Sequence, residues 1–325
     1  MDFNLNLGGL GFSDKKSDVD TDKIYDLVII GGGPAGLNAA LYGIRKGMDT
    51  IIVTDRLGGQ VLDTTSVENY LGYEKETGEG LIEKFKKHME GLDVKVIKNM
   101  KVLGVDKKEK VKKVNLEDGS TLKTKTIIIA SGSKPRKLGV PGEEQYLNKG
   151  VAYCAICDGP LFQGLDVAVA GGGNSAVEAA IDLAKICNKV WIVHRSKFRA
   201  DKIILDRLEE ISNIEVLLET KIKSIHGEKL ISSINIENKS GEKNLKIDGL
   251  FVEIGYLPNS DFIKNLVDLN DRGEILIDKS NKTSEEGIFA AGDVTDVQFK
   301  QIVISAGDGA KAALSANEYI NKNFD

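Results

Sequence analysis

The chain is short of cysteine, of net charge and of long apolar runs, and each shortage removes a class of function. Three cysteines in 325 residues cannot build a disulfide framework, so the fold must rest on packed cores. The 44 basic and 49 acidic residues leave a net charge of −5. The lysines are mixed with acids along the chain, which argues against a nucleic-acid groove or a membrane-binding face. No apolar run approaches a membrane span, and residues 1–23 carry several aspartates in place of a basic and then apolar leader. We therefore expect a cytoplasmic protein with no nucleic-acid partner and no membrane partner. Histidine is scarce as well. His88, His194 and His226 stand singly, as does Cys187, whereas zinc wants four gathered ligands, so no metal is expected.

Glycine is abundant, 35 residues, and it is patterned. Tyr25 to Ile30 reads as a short buried strand that runs into Gly31-Gly32-Gly33-Pro34-Ala35-Gly36 and then a helix to about Lys46. Gly31, Gly33 and Gly36 match G-x-G-x-x-G in its required setting of strand, tight turn and helix, where small residues let a pyrophosphate approach the helix N-terminus. A second strand, Thr50 to Thr54, ends at Asp55, near the place of a ribose-binding acid; a solvated strand end is the alternative. Gly58-Gly59-Gln60 and Asn69 fall in a stretch with little periodicity, suited to contact with a ligand ring or simply to turns. Leu81, Ile82, Phe85 and Met89 predict an amphipathic helix with Lys84, Lys86 and Lys87 towards water. Short strands with a hairpin signal at Asp118-Gly119 follow between Val102 and Leu122, then an apolar strand over Thr126 to Ala130. A proline-containing connector, Lys134 to Pro141, leads away.

The plan then repeats. Val167 to Ala170 predicts a strand, Gly171-Gly172-Gly173-Asn174-Ser175-Ala176 a second turn of the G-x-G-x-x-G/A form, and a helix runs on to about Ile186. Lys189 to Val193 predicts the next strand, Ile214 to Ile236 further short strands, Asn238 to Lys243 a polar loop, and Leu250 to Ile254 a buried strand. Two nucleotide modules in series say far more than either fingerprint alone. Cys187 is placed on the second module's helix as a core residue. From Asp271 the pattern changes: a strand over Glu274 to Ile277, a buried strand over Gly287 to Ala291, Gly292-Asp293, and a long helix after Gln301. The economical reading is that this tail returns to complete the first domain. The expected domains are an extension over 1–23, a first dinucleotide-binding domain over 24–136 and 271–325, and an inserted second one over 137–270. Hinges are expected near Lys134 to Pro141 and Asn265 to Arg272.

Between the fingerprints lies Cys154-Ala155-Ile156-Cys157-Asp158, the one stretch that offers reactive chemistry. Two thiols separated by two residues at the opening of a helical turn can close a small disulfide and reopen it. Asp158 supplies a candidate proton donor and acceptor for a leaving thiolate. Half of a zinc site, or a chance pair of buried thiols, is the alternative.

This order of motifs resembles the low-molecular-weight thioredoxin reductases of bacteria. The resemblance rests on Gly31 to Gly36, Gly58-Gly59-Gln60, Glu68-Asn69-Tyr70, Cys154 to Asp158, Gly171 to Ala176, and Gly292-Asp293 followed by Lys300-Gln301. Val61-Leu62-Asp63-Thr64 and Gly159-Pro160-Leu161-Phe162 look more like the related flavoprotein component of alkyl hydroperoxide reductase, whose N-terminal thioredoxin-like domains 23 residues cannot encode. The resemblance implies an α/β fold of two Rossmann-like, three-layer ββα domains, the second inserted in the first. It also implies a homodimer and a separate thioredoxin or glutaredoxin-like carrier. FAD is implied at Gly31, Gly33, Pro34, Ala35, Gly36, Asp55, Gly59, Gln60, Asn69, Gly292, Asp293, Gln301 and Ile302. NADPH is implied at Gly171, Gly173, Asn174, Ser175, Ala176, His194, Arg195 and Arg199. The family's phosphate motif, His-Arg-Arg, three residues, then Arg, here reads His194-Arg195-Ser196-Lys197-Phe198-Arg199. One arginine and one residue are missing, so NADPH is expected to keep a reduced margin over NADH. Of the implied roles, Cys157 faces the flavin, Cys154 attacks the partner and Asp158 moves protons. Kept beside this are NADH or ferredoxin as donor, a carrier serving a peroxidase, and a redox sensor without turnover.

Overall fold

The computed structural model describes residues 19–64, 67, 69–92, 94–107 and 110–324. The alternating Phe3, Leu5 and Leu7, most of the 1–23 extension and Glu68 lie outside the described residues. The chain divides into two units. One takes the described residues through Leu62, Gly78–Lys134, and the chain from Leu257 on; the other takes Asp63–Thr77 and Pro135–Tyr256.

In the first unit, strands Lys95–Ile97, Thr50–Val53, Ile24–Ile30 and Thr121–Ile129 lie side by side in that order, all parallel. The far side of Thr121–Ile129 is shared. Its first half pairs antiparallel with Lys112–Leu116, which pairs in turn with Val102–Asp106, and its second half pairs parallel with the returning strand Ile288–Ala290. Alternation along Ile24–Ile30 sends Val28 and Ile30 to one core and Leu27 and Ile29 to the other, and Tyr25 at the strand's start joins the first. Both faces are therefore covered, and the strand reads as a near-continuous apolar run. Helices Pro34–Arg45 and Ile302–Asn323 pack on the Leu27 face. Each fully buried Leu or Ile is worth roughly 1.5–3 kcal/mol.

The second unit repeats this with five parallel strands in the order Ile214–Leu217, Lys189–Val193, Asp166–Ala170, Gly249–Val252, Val151–Ala152. Helix Asn174–Ala184 covers one face, and a three-stranded antiparallel sheet, Lys221–Gly227, Ile231–Asn238 and Gly241–Lys246, lies over the other core. The result is an α/β fold of two Rossmann-like units of three layers each. Among the described residues no helix is long and apolar enough to cross a membrane.

Several expectations need correction. The break expected before Thr126 is absent, because Thr124 and Thr126 are buried with their hydroxyls donating to the carbonyls of Thr126 (2.8 Å) and Asp26 (2.6 Å). These threonines look polar in sequence and behave as core. The stretch around Gln60 is a single 3-10 turn, Gly59–Asp63. The polar loop of Asn238 to Lys243 is shorter than expected, since Gly241–Lys246 forms an edge strand that buries Leu245 alone and so carries no apolar alternation. Glu274 to Ile277 makes no ladder; only Ile275 bridges, to Leu269 and Thr295. Helix Asn174–Ala184 ends before Cys187, which is buried in the turn that follows. The chain returns to the first unit at Leu257 instead of Asp271, because Ile263, Leu266 and Val267 pack into the first unit's core.

Candidate active site

The first glycine turn is built by close approach of backbone. Gly31 has φ 116°, and a Cβ there would run into the Ala130 carbonyl; a Cβ on Gly36 would run into the carbonyl of Gly31. Gly33 caps helix Pro34–Arg45 with no side-chain hydrogen bond, and Pro34 takes the first helical position, where an N–H is dispensable. Around Gly33 the nearest neighbour of an added Cβ would be the Cα of Gly59, 4.0 Å away. Gly58 N–H donates to the Gly32 carbonyl at 2.8 Å, which ties the Gly58–Gln60 segment to the turn. From the returning tail, Gly292 sits against Ala35 and Ser305. Asp293 follows it, partly buried, accepting from Ser305 Oγ at 3.0 Å. Burial raises the Asp293 pKa, while the Ser305 bond and Lys300 oppose this and Asp308 adds to it. Gln301 caps helix Ile302–Asn323, and Ile302 begins it.

Gly31, Gly33, Ala35, Gly36, Gly59, Gly292 and Asp293 thus converge at the C-terminal ends of parallel strands, where α/β sheets bind ligands. An uncapped first turn and a cradle that any Cβ would fill fit the pyrophosphate of a dinucleotide. Asp55 is exposed after strand Thr50–Val53, with Lys101 at 4.0 Å. Asn69 falls in Asp63–Thr77, the segment grouped with the second unit.

The second turn has the same construction and different neighbours. A Cβ on Gly171 would strike the Glu253 carbonyl, and one on Gly172 would overlap the His194 ring. Gly173 caps the helix without a side-chain bond and stands in open space. Ala176 is fully buried, and Asn174 and Ser175 are exposed. The loop that follows strand Lys189–Val193 is clamped across this turn. Arg199 N–H donates to Gly172 O at 2.8 Å, Asn174 Nδ2 donates to Asp201 Oδ2 at 2.7 Å, and Asp201 N–H donates to Asn174 Oδ1 at 2.9 Å. His194 is buried, its Nε2 sharing a hydrogen bond with Ser196 Oγ at 3.0 Å. Burial, Arg199 and then Arg195 lower its pKa against a backbone bond to Lys197, so near neutrality it is uncharged. Arg195, Lys197 and Arg199 remain exposed, an arrangement suited to a phosphate.

Cys154 and Cys157 are joined as a disulfide with Cα atoms 5.3 Å apart. Cys154 is the N-cap of the short helix Ala155–Asp158, its Sγ accepting from Cys157 N–H at 3.3 Å. Asp158 N–H donates to the Cys154 carbonyl at 3.0 Å. Two acids that sequence reasoning missed, Glu143 buried and Glu253 partly buried, brace this element. Glu143 accepts from the Leu138 and Gly139 amides (2.8 and 2.7 Å) and from Tyr153 Oη (2.8 Å), while Tyr256 Oη donates to the Tyr153 carbonyl at 2.9 Å. Glu253, at the end of strand Gly249–Val252, accepts from Ala155 N–H at 3.4 Å. Burial pushes its carboxyl up to about 7 against that bond. An acid directly after the apolar run Leu250-Phe251-Val252 was the available signal.

The family model described as pyridine nucleotide-disulphide oxidoreductase matches residues 25–309. The F component of alkyl hydroperoxide reductase from Staphylococcus aureus (strain MRSA252) is 47% identical over 320 residues, 98% of this chain and 63% of that protein. The chain thus spans less than two thirds of the length of that relative. Among solved structures, thioredoxin reductase from Streptococcus pyogenes MGAS5005 is similar with a TM-score of 0.86 and 39% identity, over 92% of this chain and 99% of that one. Thioredoxin reductase from Giardia duodenalis gives a TM-score of 0.86 at 33% identity over 92% and 99%.

Proposed function

The chain belongs to the pyridine nucleotide-disulphide oxidoreductase family, and from that premise we propose an FAD-dependent reductase that moves two electrons from NADPH through the Cys154–Cys157 disulfide to the disulfide of a thioredoxin-like protein. The balance is NADPH, a proton and an oxidised carrier giving NADP⁺ and a carrier with two thiols. The observation that carries this reading is Glu253. One residue touches the disulfide helix through its carboxyl and packs its carbonyl on Gly171 of the second turn, which supports a nicotinamide site and a disulfide served by one strand end.

In this reading the first unit holds FAD at the residues that converge around Gly33 and Gly59, with Asp293 on the sugar chain and Gln60, Gln301 and Ile302 near the ring. The flavin, when bound, accepts two electrons at once from a nicotinamide and gives them to a disulfide. The second unit holds NADPH, the clamped loop presenting Arg195 and Arg199 to the 2′-phosphate while His194 packs the turn. Cys154 attacks the carrier, Cys157 exchanges electrons with the flavin, and Asp158 moves the proton. We place the protein in the cytoplasm as a homodimer. A second acceptor reading, a carrier on the way to a peroxidase, is favoured by the likeness to a component of alkyl hydroperoxide reductase.

Mixing the oxidised protein without air with NADPH and then with oxidised thioredoxin or glutaredoxin tests this. Repeated carrier reduction supports it; a single stoichiometric reduction points to a sensor.

A further inference from the structure

We infer that Glu253 is a positioning residue of the disulfide site whose charge is coupled to the Cys154 thiolate, so that opening the disulfide draws a proton onto this carboxyl. The inference rests on the reading that Cys154–Cys157 works as a redox pair. The geometry carries it. Glu253 Oε1 lies 3.4 Å from Ala155 N, the amide directly after Cys154 and the first of the helix that Cys154 caps. The carboxyl is partly buried at a strand end, and the Glu253 carbonyl lies against Gly171, where an added Cβ would strike it.

The elements next to it carry several ionisable groups. The disulfide helix brings Cys154, Cys157 and Asp158, and the segment before it brings Tyr153, whose hydroxyl is bonded to Glu143. The chain beyond it reaches Tyr256, whose hydroxyl goes to the Tyr153 carbonyl. The glycine turn brings no ionisable group before Glu178. Burial raises the Glu253 pKa and, among the described residues, only the Ala155 N–H opposes it; the nearby Arg136 bonds the Gly255 carbonyl through its backbone N–H at 2.9 Å. A thiolate arriving at Cys154 adds a second negative charge at this place, and like charges in a poorly solvated site do not both ionise.

The S–S bond breaks as two electrons enter, drawn in the proposed reaction from reduced nicotinamide. One sulfur takes a proton and becomes a thiol, the other stays as thiolate, and a second proton goes to the Glu253 carboxylate, leaving the net charge unchanged. When Cys154 attacks a carrier disulfide and loses its charge, Glu253 releases that proton.

The test is the alkylation of Cys154 by iodoacetamide between about pH 5.5 and 9 in the full-length flavin-loaded protein reduced with dithiothreitol, with each cysteine counted by peptide mass. Glu253→Gln keeps an oxygen for the Ala155 amide and removes the charge. The thiolate should then form at lower pH, with alkylation near neutrality about tenfold faster, the effect of one pKa unit. Glu253→Asp, which keeps a carboxylate, should hold to the wild-type profile more closely than the glutamine variant does. Coinciding profiles for wild type and Glu253→Gln would overturn the inference and leave a structural role. Should Cys154 and Cys157 stay unlabelled after dithiothreitol, the redox reading itself falls and the inference with it.

Discussion

The two glycine turns are the same device set among different neighbours. In the first, the third small residue must be glycine, because a Cβ on Gly36 would collide with the Gly31 carbonyl; in the second the same place is filled by Ala176, fully buried. The first turn is tied to the Gly58–Gln60 segment and closed by Gly292 and Gly309 from the returning tail, where a Cβ on Gly309 would strike the Ala35 carbonyl. The second is closed by the His194 ring over Gly172 and by the Asn174–Asp201 pair, and it shares Glu253 with a disulfide. A turn of this kind supplies a pyrophosphate site. What is packed against it decides which nucleotide enters and what chemistry stands beside it.

The hardest break removes what the second unit has and the first lacks. Cys154→Ser and Cys157→Ser should each reduce carrier turnover to the uncatalysed background while flavin content and bleaching by NADPH survive, as absorption spectra and a carrier thiol assay would record. Next is an exchange of the third turn residue. Gly36→Ala forces backbone apart, so we expect loss of bound flavin and a destabilisation of about 3 kcal/mol or more; Ala176→Gly should cost only about 1 kcal/mol. Denaturant unfolding and flavin content separate the two.

The acid beside the disulfide gives a pH signature. Folded Glu253 holds its proton to about 7 against an ordinary value of 4.5, so the folded state binds more protons than the unfolded one in that window. Stability contributed by this group is therefore lost as pH rises from 4.5 to about 7, by up to about 3 kcal/mol. Glu253→Gln should flatten that slope in unfolding curves taken at about pH 5 and pH 8. The narrowest effect, confined to one of the two nucleotides, concerns nucleotide choice. Arg199→Ala should lower kcat/KM for NADPH by the worth of one charge-assisted bond, about 1.5–3 kcal/mol, and leave NADH nearly unchanged. Equal losses with both nucleotides would mean that the Arg199 side chain supports the loop instead of contacting the phosphate.

Both turns, the parallel strands behind them and the cysteine pair were legible because each depends on local sequence: apolar runs of strand length, glycines at fixed spacing, two thiols three apart. What was not legible depends on partners distant in the chain. Thr124 and Thr126 look like a break until their hydroxyls find carbonyls, the second of them 100 residues away. Leu266 and Val267 belong to the first core by packing, with no change in composition to mark it. His194 reads as a nucleotide contact beside two arginines, and only the fold shows that its ring also covers Gly172. Glu253 follows an apolar strand as any solvated end would, and only the fold brings the Ala155 amide to it, 98 residues away in sequence.

The central claim is that electrons pass from NADPH to this one cysteine pair. The most direct measurement adds one equivalent of NADPH per chain without air, quenches with acid, alkylates, and locates new thiols by peptide mass. The account predicts two new thiols, at Cys154 and Cys157, with Cys187 unchanged. A flavin that bleaches while Cys154 and Cys157 stay joined, or a protein that NADPH leaves oxidised and reduced ferredoxin does not, would contradict it.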